Sequence, residues 1–265
     1  MTAGVAVPLP VPVSLNSLPE IKKHIASGKL CWVGPLLFLP ARTVFSFLSQ
    51  CVVAAIYRLQ GHPFPWQAAG PWWTVWATLV DLGCIACLFL LTRRENIRIQ
   101  DLLGPLPRWL LLKGIGCFCL IFPFFMLGEP LARRIAYHSW SAPIPHLELM
   151  ARHLPLWGIL YSLLIWWPIW SVTEELTYNG YLAPRFAALS RHRWVRYALV
   201  GFWWAFQHSF LPLLFDWHFV LYKLVMFIPG VLAFIAIYLR WRRLAPLILA
   251  HWMMDLSAVF MTLSF

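Results

Sequence analysis

Residues 218–239 read HFVLYKLVMFIPGVLAFIAIYL, twenty-two positions in which Lys223 is the one lysine, arginine or carboxylate. At 1.5 Å per residue a helix of that length is about 33 Å long, enough to cross the roughly 30 Å hydrocarbon core of a bilayer. On either side of it, six more stretches have the same character, at 34–57, 71–92, 108–128, 154–183, 196–215 and 244–263. Trp72, Trp73, Trp194, Trp217 and Trp241 stand at their ends, where amphipathic rings settle at headgroup level. The fold class this predicts is all-α, a polytopic transmembrane helical bundle of about seven spans. An eighth element is added if a surface or re-entrant helix lies in 129–153, and the fourth span is expected to tilt, kink at Pro168 or protrude.

The composition of the 265-residue chain agrees, with 61% hydrophobic and 12% charged residues. That charged fraction is about half of what a soluble domain carries. A net charge of +11 would suggest nucleic acid as a partner of a soluble protein. Here the basic residues fall in short loops between apolar runs, and no continuous basic face follows a phosphate backbone, so nucleic acid is not a partner and the lipid bilayer is. With the N-terminus in the cytoplasm, fourteen Lys and Arg residues lie on the inside and four on the outside. The positive-inside rule therefore gives an N-in, C-out topology. The six cysteines, Cys84-Ile-Ala-Cys87 included, lie in or beside apolar runs and read as packing residues.

At the N-terminus, residues 1–13 read as a tail without a cleavable signal. Ser17-Leu-Pro-Glu20 has the spacing of a capping box, and Gly28 offers a stop, which predicts a short amphipathic helix on the membrane surface. The expected organisation is a cytoplasmic tail over 1–30 and one transmembrane domain over 31–265.

A carboxylate near mid-membrane costs about 2.5–3.5 kcal/mol on the lenient insertion scale, so each one needs a reason. Glu174 and Glu175 lie in the fourth span, His208 in the fifth, and His251 with Asp255 in the seventh. Glu174 stands some ten residues before Arg185, His208 about 18 Å along its span, and His251 about 12 Å along its own, with Asp255 one turn further. Three helices thus present ionisable groups between the cytoplasmic interface and mid-membrane. His251 and Asp255, at i and i+4, share a face, so the carboxylate is placed to orient or charge the imidazole. Trp204 stands one turn before His208 and is expected to wall its ring. Glu174 and Glu175 are about 100° apart, so one of them serves chemistry and the other pairs elsewhere, with Asn179 one turn beyond Glu175. Arg42 and Asp81, each inside a span, are expected to pair with each other, and Lys113 and Lys223 to snorkel.

At these residues the chain resembles a family, the CPBP intramembrane proteases, which include the type II CAAX prenyl endopeptidases and the bacterial Abi proteins. Glu174-Glu175-Leu-Thr-Tyr-Asn179-Gly180 is similar to the family's EExxxR motif, with Asn179 where the family has Arg. Trp204-Ala-Phe-Gln-His208 resembles FxxxH with Trp for Phe, and His251-Trp-Met-Met-Asp255 resembles HxxxN or HxxxD. The motifs come in the family's order and cover 154–263. The resemblance implies a peptidase without a metal or other cofactor, acting near the C-terminus of a membrane-tethered protein or peptide in the cell inner membrane. It makes Glu174 the general base on water shared with His208, and gives His251 and Asp255 the developing oxyanion. Glu175, Asn179 and Trp204 support them. Hydrogen-bond donors aimed at that oxyanion gain strength where water is scarce.

Three other readings use the same residues. A zinc peptidase would take Glu174, His208 and His251 as a two-His, one-carboxylate set, although no HExxH is present. A non-catalytic membrane scaffold or transport-type protein would keep the fold alone, and a polar network would glue the helices together.

Overall fold

The computed structural model describes residues 14–144 and 154–262, and within them the chain is helical, with no strand. The helices are α1 (Leu18–Ala26), α2 (Val33–Leu59, interrupted at Leu39–Pro40), α3 (Pro65–Arg94), α4 (Leu110–Tyr137), α5 (Leu156–Leu189), α6 (Arg193–Gln207), α7 (Trp217–Trp241) and α8 (Ala245–Thr262). The expected tail over 1–13 and residues 145–153 of the expected eighth element lie outside the described residues; residues 129–137 prolong α4.

Helices stand at all seven predicted places, and five of them (α2, α3, α4, α5 and α7) are long and apolar enough to cross a membrane. The chain is a multi-pass helical membrane bundle. Its outer surface is apolar, with Leu112, Leu127 and Leu164 each 66% exposed, an exterior that lipid solvates and water does not. The fifth predicted span is shorter than expected: α6 has 15 residues and stops at Gln207, so His208 is its cap rather than a mid-helix residue. Pro212 explains the stop, because proline disfavours helical backbone at the residue before it and removes a donor.

Helices in lipid gain little from apolar burial against one another and depend on close van der Waals packing. Gly128 of α4 faces the Met226 backbone of α7, and Gly230 of α7 faces the Phe125 ring of α4, each so closely that a Cβ would collide. This contact fixes the face of α7 that carries Lys223 and Phe227. α5 is regular from Trp167 to Glu175, with Pro168 in its first turn, and is wound as a π-helix before it (Ser162–Trp166) and after it (Leu176–Leu182). Such widened turns recur at functional sites, and here one begins directly after the paired glutamates.

The end of the bundle that holds α1 departs from the sequence reading in two ways. The capping box does not form: Ser17 Oγ has no partner, and Glu20 pairs with Lys23 at 2.7 Å instead. α1 packs against the last turns of α5 through the fully buried Ile21, so it docks on protein, and Gly28 ends the element at φ +72°. Arg185, expected in a basic loop, is fully buried between Glu95 (2.6 Å) and Asn16 Oδ1 (2.6 Å). One of the fourteen basic residues counted toward the inside in the sequence therefore belongs to a structural ion pair.

Candidate active site

Glu174, Trp204, His208, His251 and Asp255 line one cavity of about 180 Å³, together with Lys223 and a largely aromatic and methionine wall. A cavity of roughly 150 Å³ already admits a benzene ring, so this one has room for a small side chain and water. Glu175 and Asn179 are fully buried outside the lining. Five of the seven residues singled out in the sequence thus face a common space, and the other two stand behind it.

Glu174 is fully buried at the centre of the group. Its Oε1 accepts a hydrogen bond from the Trp204 indole and lies 3.8 Å from His208 Nε2 and 4.0 Å from His251 Nε2. Its Oε2 faces Arg42 Nη2 at 3.5 Å. Arg42 comes from α2 and is itself fully buried, with Nη1 3.3 Å from Asp81, Nε donating to Gln207 at 2.8 Å, and its guanidinium 3.9 Å from the Trp170 ring centroid. The expected Arg42–Asp81 pair exists, but Arg42 also faces Glu174.

His208 Nδ1 lies 2.9 Å from the Trp204 carbonyl oxygen. A carbonyl only accepts, so Nδ1 carries the hydrogen, and when the ring is neutral its Nε2, which faces Glu174, is the acceptor. The wall of this ring is not the Trp204 indole. Phe227 of α7 stacks on it at 3.7 Å, while Trp204 stacks on Tyr178 at 5.0 Å. Capping of α6 explains the difference, because the i+4 relation now runs through the Trp204 carbonyl rather than its side chain.

His251 has a carboxylate near each nitrogen. Nδ1 is 3.2 Å from Glu175 Oε1, and Nε2 is 3.7 Å from Asp255 Oδ1. The closer orienting contact is therefore Glu175, not the Asp255 that helical spacing suggested. Asp255 instead accepts from Ser171 Oγ of α5. Asn179 Nδ2 donates to Glu175 Oε2 at 2.8 Å, so where the family has an arginine this chain uses a neutral donor. Lys223 does not snorkel: it is 6% exposed and lines the cavity.

Sequence reasoning missed the reach of Arg42 to Glu174, the Ser171 donor and the Phe227 stack. Arg42 carried a signal, since an intramembrane arginine needs an acid. Ser171 and Phe227 carried none, because a serine that bonds its own helix and a phenylalanine in an apolar helix are ordinary.

Residues 155–257 match the family model for type II CAAX prenyl endopeptidase Rce1-like proteins. This is a CAAX-protease-family segment. No curated protein and no solved structure matches the chain. The CAAX-protease segment holds all seven residues named from the sequence and implies a peptidase. Arg42 and Asp81 reach the site from helices before it.

Trp204→Phe would give this site the ring that the family motif usually has, keep an aromatic face against Tyr178 and remove the indole N–H from Glu174. A hydrogen bond to a charged group contributes about 1.5–3 kcal/mol. Thermal unfolding in detergent should show a lower midpoint by several degrees, with cleavage retained. An unchanged midpoint would mean that the indole N–H contributes nothing to Glu174.

Proposed function

We propose that the protein is an intramembrane, glutamic-type endopeptidase that hydrolyses a peptide bond near the C-terminus of a membrane-tethered protein or peptide. The observation that carries this is the meeting of Glu174 Oε1 and His208 Nε2, two acceptors 3.8 Å apart at the edge of a cavity. One water with hydrogen bonds of about 2.8 Å spans that gap and donates to both. The carboxylate takes a proton as the water oxygen attacks the scissile carbonyl carbon. A proton is returned to the amide nitrogen as the C–N bond breaks, leaving a new carboxylate and an amine.

His251 is the second imidazole beside that pair, with Nε2 4.0 Å from Glu174 Oε1. With an acceptor beside each ring nitrogen, both nitrogens are placed to carry hydrogens, and Nε2–H is the donor for the oxyanion. Glu175 fixes the ring from outside the cavity, and Asn179 fixes Glu175. Arg42 faces Oε2 of Glu174 as an ion-pair partner at 3.5 Å, which leaves Oε1 as the reacting oxygen. In this reading residues 31–265 form one transmembrane protease domain with the N-terminus cytoplasmic, in a cell inner membrane.

The test is a peptide whose prenylated cysteine lies three residues before a free C-terminus, incubated with the protein in lipid nanodiscs. Mass spectrometry should find a released short C-terminal fragment, and its absence with both this peptide and an unprenylated, membrane-anchored one would contradict the proposal.

Metal dependence is tested on the same assay. Tetrahedral zinc with bonds of about 2.0–2.1 Å sets donor atoms roughly 3.3–3.4 Å apart, whereas Glu174 lies 3.8 and 4.0 Å from the two imidazoles. Cleavage is expected to survive a chelator, with no stoichiometric zinc by elemental analysis. Activity lost to the chelator and restored by zinc would transfer the same residues to a metallopeptidase mechanism.

A further inference from the structure

Lys223 has no role in the water-activating group, yet it lines the same cavity. It is 6% exposed, and among the described residues no carboxylate lies within 4.0 Å of its amine and no hydrogen-bond partner meets it. Two aromatic faces flank it, Phe227 at 5.3 Å and Phe219 at 5.9 Å from the amine to the ring centroids. Aromatic faces offset only part of the cost of removing a cation from water. A buried lysine without an anion, open to a cavity, is matched by an anion that arrives with a ligand.

Phe227 also locates that anion relative to the reacting bond. The His208 ring centroid is 3.7 Å from the Phe227 centroid and the Lys223 amine 5.3 Å from it, so amine and imidazole are no more than about 9 Å apart. An extended peptide advances about 3.3–3.6 Å per residue. A carboxylate held at Lys223 is therefore at most about three residues from a carbonyl at the Glu174–His208 water. We propose that Lys223 anchors the C-terminal carboxylate of the bound peptide and thereby sets how far from the chain end the cut falls. This rests on the endopeptidase reading and adds to it a specificity-determining residue that the motifs do not contain.

The experiment measures binding rather than turnover, in full-length protein carrying Glu174→Gln in nanodiscs, so that peptide is not consumed. Two probes are compared, a farnesyl-cysteine peptide ending in three aliphatic residues as the free acid and the same peptide as its C-terminal amide. The expected result is a preference for the acid of at least about tenfold, as for a hydrogen bond to a charged group. Lys223→Met should abolish that preference while leaving amide affinity unchanged, and Lys223→Arg should keep it. The melting midpoint of Lys223→Met without peptide should equal or exceed that of its parent, because an unpaired buried charge is removed; a lower midpoint assigns Lys223 to the fold and overturns the proposal. An acid preference that survives in Lys223→Met overturns it, as does the absence of one in the parent. Lys223-dependent displacement of both peptides by oleate, at concentrations where the peptide acid shows no advantage, would make the cavity a fatty-acid site. Binding of neither peptide would overturn the peptide-substrate reading itself, and this proposal with it.

Discussion

Arg42→Met is expected to lower stability by about 3–5 kcal/mol, the cost of breaking a buried ion pair by removing one partner. The arginine is fully buried and faces two carboxylates, Asp81 at 3.3 Å and Glu174 at 3.5 Å, neither with another basic side chain of α2 or α3 beside it. Methionine fills part of the volume, leaves Asp81 without its cation and leaves Glu174 with only the two imidazoles beside it. It also frees Glu174 to rotate, since Arg42 is what faces Oε2. Thermal unfolding in detergent should show the loss, and cleavage should fall even at temperatures where the variant remains folded. Adding Asp81→Asn should recover part of the stability by removing one of the stranded charges, but not the activity. If Arg42→Met melts like the parent, the guanidinium does not hold this end of the bundle, and the positioning role given to it here is wrong.

The sequence made the bundle legible because lipid imposes a simple constraint: a span needs some twenty apolar residues. Runs such as 218–239 and 71–92 satisfy it without help from tertiary contacts. The grouping of Glu174, His208 and His251 was legible for a related reason, since depth in a bilayer can be counted in residues from a basic loop. Contacts between helices were not legible in this way. Arg185 looks like a loop cation in the sequence, yet it is buried against Glu95 and Asn16; charge composition does not reveal whether a partner waits on another helix. The exchange of roles between Glu175 and Asp255 follows from side-chain reach across helices. His251 meets an acid of α5 on one nitrogen and an acid of its own helix at greater distance on the other. Periodicity within α8 could indicate only the second. The early end of α6 had a local signal in Pro212, and reading the apolar run through it moved His208 from a cap into a helix.

The most direct measurement of the account is the rate of C-terminal cleavage by Glu174→Gln beside Glu175→Gln, at equal expression and with the melting midpoint of each recorded. Glutamine keeps the size of Glu174 and an oxygen for Trp204 to meet, and it removes the ability to take a proton. General-base catalysis contributes typically 10²–10⁴-fold, so Glu174→Gln should be slower by at least about a hundredfold while still binding peptide and staying folded. Glu175 lies outside the cavity and acts by holding His251. Its glutamine retains an acceptor for that ring, so Glu175→Gln should lose less. Near-full activity in Glu174→Gln with loss in Glu175→Gln would reverse the two assignments. Near-full activity in both would show the glutamates to be structural and contradict the proposal that this cavity hydrolyses peptides through a carboxylate.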